Sequence, residues 1–216
     1  MSARRVPLPA HRRKAQLPQA RVVLEFWLRD ALELGWPSQS LSALWWGGGA
    51  ELDRDIEGRF GHLVREAVAG GLTDWETTPL DRLALVLLLD QFTRNVFRGR
   101  RQAFAGDDRA QALAMDALAL AWDEQLPMAG RVFLLTPLEH AETMSLQDQC
   151  VRRFTSLLEG ATAERVNDLR EFLKSAQRHR QIIATFGRFP HRNQALGRAS
   201  SAAELAFLQH GPRFGQ

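Results

Sequence analysis

From Ala20 onward, apolar residues recur mostly at intervals of three and four, the period of an amphipathic helix. Val22, Val23, Phe26, Trp27 and the stretch Asp30 to Leu34 predict a first helix, stopped by Gly35 and Pro37. Ser38 to Trp46 reads as a short helical turn closed by three glycines. Leu52, Ile56, Phe60, Leu63, Val64, Ala67 and Val68 predict a second helix, ended by Gly70-Gly71. Thr78-Pro79-Leu80-Asp81 is a helix start: a threonine cap, a proline whose missing N–H costs nothing there, and an acid in the first turn. The helix that follows is apolar all round from Leu83 to Leu89. A helix with no polar face needs neighbours on every side, so this one belongs at the centre of the fold.

Arg101 to Gln125 predicts a fourth helix, closed by Pro127. Thr136-Pro137-Leu138-Glu139 repeats the start signal, with glutamate placed as in a capping box. Either a new helix starts there, or one helix from Gly130 to Leu158 is kinked at Pro137. The two start signals, and the Asp-Gln pairs that follow each, share an offset of 58 residues. That is a hint of related helix pairs and not a repeat. Thr162 to Phe186 is the longest periodic stretch, with Gly187 as its terminator. Ser201-Ala-Ala-Glu204 is another capping box and opens a last helix to His210. Strand alternation and hairpin turn pairs are missing. The pattern predicts an all-α fold of antiparallel helix hairpins in one domain, residues 19–216.

Composition narrows the class. A chain of 216 residues with 45% hydrophobic and 25% charged positions is an ordinary globular one. Its longest apolar run is the seven residues Leu83 to Leu89, whereas a membrane span needs roughly 20. The single cysteine, Cys150, rules out an internal disulfide and fits a reducing, cytoplasmic setting. The net charge of +3 divides unevenly: residues 1–20 hold five basic residues and no acid, which leaves the remainder at −2. Residues 1–18 thus read as a flexible basic arm without signal-peptide features, and the body lacks the basic face of a nucleic-acid binder.

Several blocks carry a resemblance: Leu89-Asp90-Gln91-Phe92-Thr93-Arg94-Asn95, Arg101-Gln-Ala-Phe104-Ala, Pro137-Leu-Glu139-His140-Ala-Glu142, His179-Arg180-Gln-Ile-Ile, Phe186-Gly-Arg-Phe-Pro-His-Arg-Asn193 and Leu196-Gly-Arg198. In this order they resemble the bacterial domain-of-unknown-function 924 family from about Ala20 to the end. Thr93 stands where that pattern has a proline, and Thr136 where it has an aromatic residue. The resemblance implies a tetratricopeptide-like helical fold and brings no activity with it.

The blocks themselves suggest chemistry. Asp90 and Arg94, like Gln91 and Asn95, are i, i+4 pairs following directly on the buried apolar run. Polar groups so close to a core must be hydrogen-bonded internally or line a pocket. His140 lies on the apolar stripe Phe133, Pro137, Met144, and His179 on Phe172, Ala176, Ile183, Phe186. Either can be a satisfied core histidine. Glu139 and Glu142 beside one, and Arg180 beside the other, make acid–base work possible. Phe186 to Arg198 holds Arg188, Arg192, Arg198, His191 and Asn193 between two turn-forming glycines. Pro190 starts a single helical turn there, and arginine forks match an anion. The same arginines could instead pair with Asp90, Glu139 and Glu142. No Glu-x-x-His or His-Glu-x-x-His spacing, serine elbow or phosphate loop is present, so neither a metal nor a cofactor is expected. The tryptophans are expected to fill gaps between helices.

Two readings follow. In one, His140, His179 and His191 are acid–base groups in a pocket for a small anionic ligand. Asp90, Gln91, Arg94, Asn95, Glu142, Arg188, Arg192, Asn193 and Arg198 then line it. In the other, the polar blocks are structural and the helices form a scaffold for a peptide or protein partner. Neither reading involves nucleic acid or a membrane. A pocket should draw the blocks onto one concavity, whereas a scaffold should expose a groove along its length.

Overall fold

A computed structural model describes residues 16–212, and these form helices and turns with no strand among them. The first fifteen residues of the expected basic arm lie outside the described residues. Helix α1 (Pro18–Leu28) begins at a proline, and the Leu17 N–H donates to Asp81 Oδ1 at 3.1 Å. The predicted first helix does not run on to Leu34. Arg29 takes a left-handed φ of 52°, and a separate turn, α2 (Ala31–Leu34), follows. Asp30 at the break turns its carboxylate to the Ser38 N–H and hydroxyl.

A π-helical turn at Ala43–Gly47 leads to α3 (Ala50–Val68). Then α4 (Pro79–Leu87), a π-helical turn at Leu88–Phe92 and α5 (Thr93–Val96) follow without a break. Thr78 caps this helix, its hydroxyl oxygen accepting from the Asp81 N–H. All seven residues from Leu83 to Leu89 have zero exposure. They are covered by α1, by α6 (Asp107–Ala119) and by α7 (Met128–Glu139). Leu87→Ala should therefore lower the stability by about 2–5 kcal/mol. An unmoved urea midpoint would show that this helix is not the centre.

The predicted helix from Arg101 to Gln125 is three pieces: a 3₁₀ turn at Arg101–Phe104, α6, and a 3₁₀ turn at Asp123–Gln125. Its first break is a packing event. A Cβ on Gly106 would stand 2.3 Å from the Leu89 carbonyl oxygen, so the chain passes directly against the central helix there. Its second is the left-handed Ala121, φ 52°.

Both readings of Thr136 are also corrected: it caps nothing, and the helix passes through Pro137. Pro137 has no N–H for the Phe133 carbonyl, and the Thr136 hydroxyl lies 2.9 Å from that oxygen instead. The helix ends at His140, and α8 (Met144–Glu159) is separate. Thr78 and Thr136 thus hold different positions in their helices, and the 58-residue offset has no structural counterpart.

Next, α9 (Val166–Phe186) packs along α8 and stops at Gly187, φ 69°. The expected turn forms at Pro190–Arg192 and continues as α10 (Asn193–Leu196). Finally α11 (Ala202–His210) opens with the complete Ser201/Glu204 capping box. No helix is long and apolar enough to cross a membrane, among the described residues.

Candidate functional site

The central helix carries its polar residues at the π-helical turn. There Asp90 has no exposure at all, and every polar atom of its carboxylate meets a partner. His140, the residue at which α7 ends, places Nδ1 2.7 Å from Asp90 Oδ1. Gln91 Nε2 donates to Asp90 Oδ2 at 2.6 Å, and the Thr136 hydroxyl lies 2.9 Å from the same oxygen. A carboxylate only accepts, so Nδ1 of His140 carries the proton and Nε2 keeps a lone pair. Burial pushes His140 below its ordinary value, and Arg94 adds to this against the pull of Asp90. Burial alone would raise Asp90, but His140 and Arg94 overcome it and hold the carboxyl well below its usual range.

A second imidazole–carboxylate pair stands beside the first. Nδ1 of His179 is 2.8 Å from Glu139 Oε1 and 2.9 Å from the Ser175 carbonyl, two acceptors that again fix the proton on Nδ1. The Ser175 hydroxyl donates to the same Glu139 oxygen at 2.6 Å. Glu139 stays ionised because His179 and His140 outweigh the cost of burial. The two imidazole rings are 5.9 Å apart.

Arginines hold the third side. Asp107, in the first turn of α6, is shared: Arg94 Nη1 lies 3.1 Å from its Oδ1, and Arg192 Nη1 donates to its Oδ2 at 3.0 Å. Arg192 also donates to the His140 carbonyl at 2.8 Å, and its guanidinium lies against the rings of Phe104 and Phe189. On α5, Asn95 donates to Asp53 Oδ1 at 2.9 Å, and Arg98 donates to Asp53 Oδ2 at 2.7 Å.

These groups surround a cavity of about 410 Å³. Its polar wall includes Gln91, Arg94, Asn95, His140, His179, His191 and Arg192, drawn from four separate stretches of the chain. Its apolar wall includes Trp27 on α1, Trp45 and Trp46 on the π-helical turn, Phe104, and Phe172 on α9. The remaining candidates stand outside this wall. Asp90 lies behind His140. Arg188 binds Glu204 at 2.6 and 2.8 Å and holds that carboxyl down at about 2. Arg198 binds both oxygens of Glu142, which also accepts the Phe189 N–H at 2.8 Å. Asn193 donates to Ser200 and accepts from Arg198. These contacts fasten the C-terminal turn, and with it Phe189 and Arg192, onto the back of the cavity.

Sequence reasoning missed Asp107, Asp53, Ser175 and Phe172. It also gave Trp45 and Trp46 a gap-filling part, although adjacent tryptophans followed by three glycines were a signal. No group of three or more His, Cys, Asp or Glu side chains is placed to hold a metal ion, among the described residues.

The titrations set a pH dependence. Burial, reinforced by Arg192, pushes His191 down to about 3, and His140 is lowered as well. Between those values and the ordinary 6.5, the unfolded chain binds protons that the folded one refuses, so stability falls as pH falls. His191 alone should remove about 2 kcal/mol between pH 7 and pH 5. Asp90, Glu139 and Glu142, all held low, add their loss only below the ordinary carboxylate range. Urea midpoints that coincide at pH 7 and pH 5 would contradict the burial of both histidines.

Comparison with known proteins agrees with this architecture. A solved structure of a protein of unknown function from Agrobacterium tumefaciens is 31% identical and superposes with a TM-score of 0.73, over 89% of this chain and 97% of that one. No protein of curated function matches. Residues 23–212 match the profile of a bacterial protein family of unknown function, DUF924. That match spans most of the chain, and the protein belongs to the DUF924 family.

Proposed function

We propose that the cavity is a small-molecule site in which His140 acts as a general base, with His179 as the second proton-carrying group. One observation carries the reading: His140, His179, Arg94 and Arg192 come from separate stretches of sequence and line a single cavity. An internal network that only tied helix ends together would not need to enclose space. The base is equipped for its task. Asp90 fixes its tautomer, burial keeps it neutral near pH 7, and its ring retains 19% exposure. A peptide-binding groove has no comparable observation behind it.

Crystallographic fragment screening tests the site. Fragments should gather in this cavity with a donor directed at His140 Nε2. Hits scattered over the surface, with none in the cavity, would overturn the reading. Nitrogen-15 NMR tests the base: at pH 7 His140 should be neutral with its proton on Nδ1. A protonated ring, or a proton on Nε2, would remove His140 from that role.

A further inference from the structure

We infer that the cavity takes a planar aromatic compound that carries a hydrogen-bond acceptor and at most one negative charge. The inference rests on the small-molecule reading of the same cavity and specifies its occupant. Charge argues first. Arg94 and Arg192 already share Asp107, and Arg98 is paired with Asp53. Asp90 and Glu139 stand behind the two histidines, so carboxylates outnumber guanidinium groups around the cavity. A compact polyanion such as phosphate finds no arginine whose charge is not already met.

Hydrogen bonding argues second. Two cavity residues keep buried N–H groups that have no acceptor among the described residues: Nε1 of Trp27 and Nε of Arg192. The residues are 2% and 5% exposed. A buried donor left unmet costs about 1–3 kcal/mol, and an occupant whose entry turns either side chain toward the cavity would meet it with a carbonyl, carboxylate or ring nitrogen. Shape points the same way. Trp46 is 57% exposed and borders the cavity, its ring 5.7 Å from that of Phe172. It belongs to a stretch, residues 38–50, in which no residue is buried. Anchored against Trp45, Phe133 and Phe172, this partly exposed ring offers surface to a flat partner, and the cavity has room for one or two fused rings.

Calorimetry and ligand-observed NMR on the full chain, at constant ionic strength, test this with chosen probes. Benzamide and benzoate should bind. Cyclohexanecarboxamide, of similar size but not flat, should bind about two- to tenfold more weakly than benzamide. Phosphate and succinate should show no binding. Trp46→Ala, at an exposed position, should weaken benzamide at least about threefold. Trp27→Phe, which removes the N–H and keeps a ring, should weaken benzamide but not ethylbenzene. Phosphate or succinate binding more tightly than the aromatic compounds would overturn the inference and leave the small-molecule reading standing. Equal affinity for benzamide and its saturated counterpart, or an indifferent Trp46→Ala, would also overturn it. Binding of none of the probes would count against both.

Discussion

Asp107→Asn is expected to remove at least about 3–5 kcal/mol of stability, the loss that follows when a buried charge pair is broken from one side. This carboxylate answers two guanidiniums. Arg94 approaches it at 3.1 and 3.3 Å, and Arg192 at 3.0 Å. Asparagine preserves the volume, but its NH₂ must then face one of two buried cations. Arg94 would keep Asp90 at 3.5 Å as its remaining anionic partner. Arg192 would keep only the His140 carbonyl and the faces of Phe104 and Phe189. Asp108→Asn is the control. It sits in the same first turn of α6, also serves the helix dipole, and is exposed, so its loss should stay within about 1 kcal/mol. Urea unfolding at pH 7 distinguishes the two. A loss below about 1 kcal/mol at Asp107 would mean that water reaches Arg192, contrary to its burial.

Asp107 also marks the boundary of what could be read from the chain. An acid in the first turn of a helix has an ordinary explanation in the helix dipole, and nothing local distinguishes it from Asp108. Its importance comes from Arg192, 85 positions away. The features that were legible depend on near neighbours in sequence. Thr78 and Ser201 cap helices because their hydroxyls reach N–H groups three residues on. Gly187 ends α9 because it takes a left-handed φ cheaply. Leu83 to Leu89 announced the core because no polar side interrupts them. Where the reading failed, a distant contact decided. Gly106 breaks the predicted fourth helix because its backbone lies against Leu89. Thr136 looked like a cap because the following Pro137 usually marks a start; in place, its hydroxyl lies 2.9 Å from both the Phe133 carbonyl and Asp90 Oδ2, inside the helix. The site shows the same division. His140 and His179 could be singled out on apolar stripes, Arg94 beside the apolar run and Arg192 in a turn between two glycines, and the cavity contains them. Arg188 and Arg198 looked equally suited to an anion, and only the folded chain shows Glu204 and Glu142 already in their forks.

Asp90→Asn should cost about 3 kcal/mol, the low end for a buried charge because Arg94 retains Asp107. It should also lower the protonation of His140 further. The carboxamide has two orientations. With its oxygen toward His140 Nδ1–H and Arg94, its NH₂ meets the amide of Gln91 and the hydroxyl of Thr136, both of which can turn to accept. The opposite orientation sets an NH₂ against the guanidinium of Arg94, which cannot accept. The first orientation should therefore prevail, and His140 should keep its proton on Nδ1. What disappears is charge: the negative Asp90 raises His140, and without it burial and Arg94 act unopposed from that side. The stability loss should carry a matching pH signature. Asp90, held far below its ordinary 3.8, contributes stability that is complete above that value and fades as pH falls below it. Parent and variant should thus differ fully at pH 6 and converge in acid. Nitrogen-15 spectra and urea midpoints along one pH series test both halves. An unchanged His140 titration would show that the carboxylate is not what sets the imidazole's state.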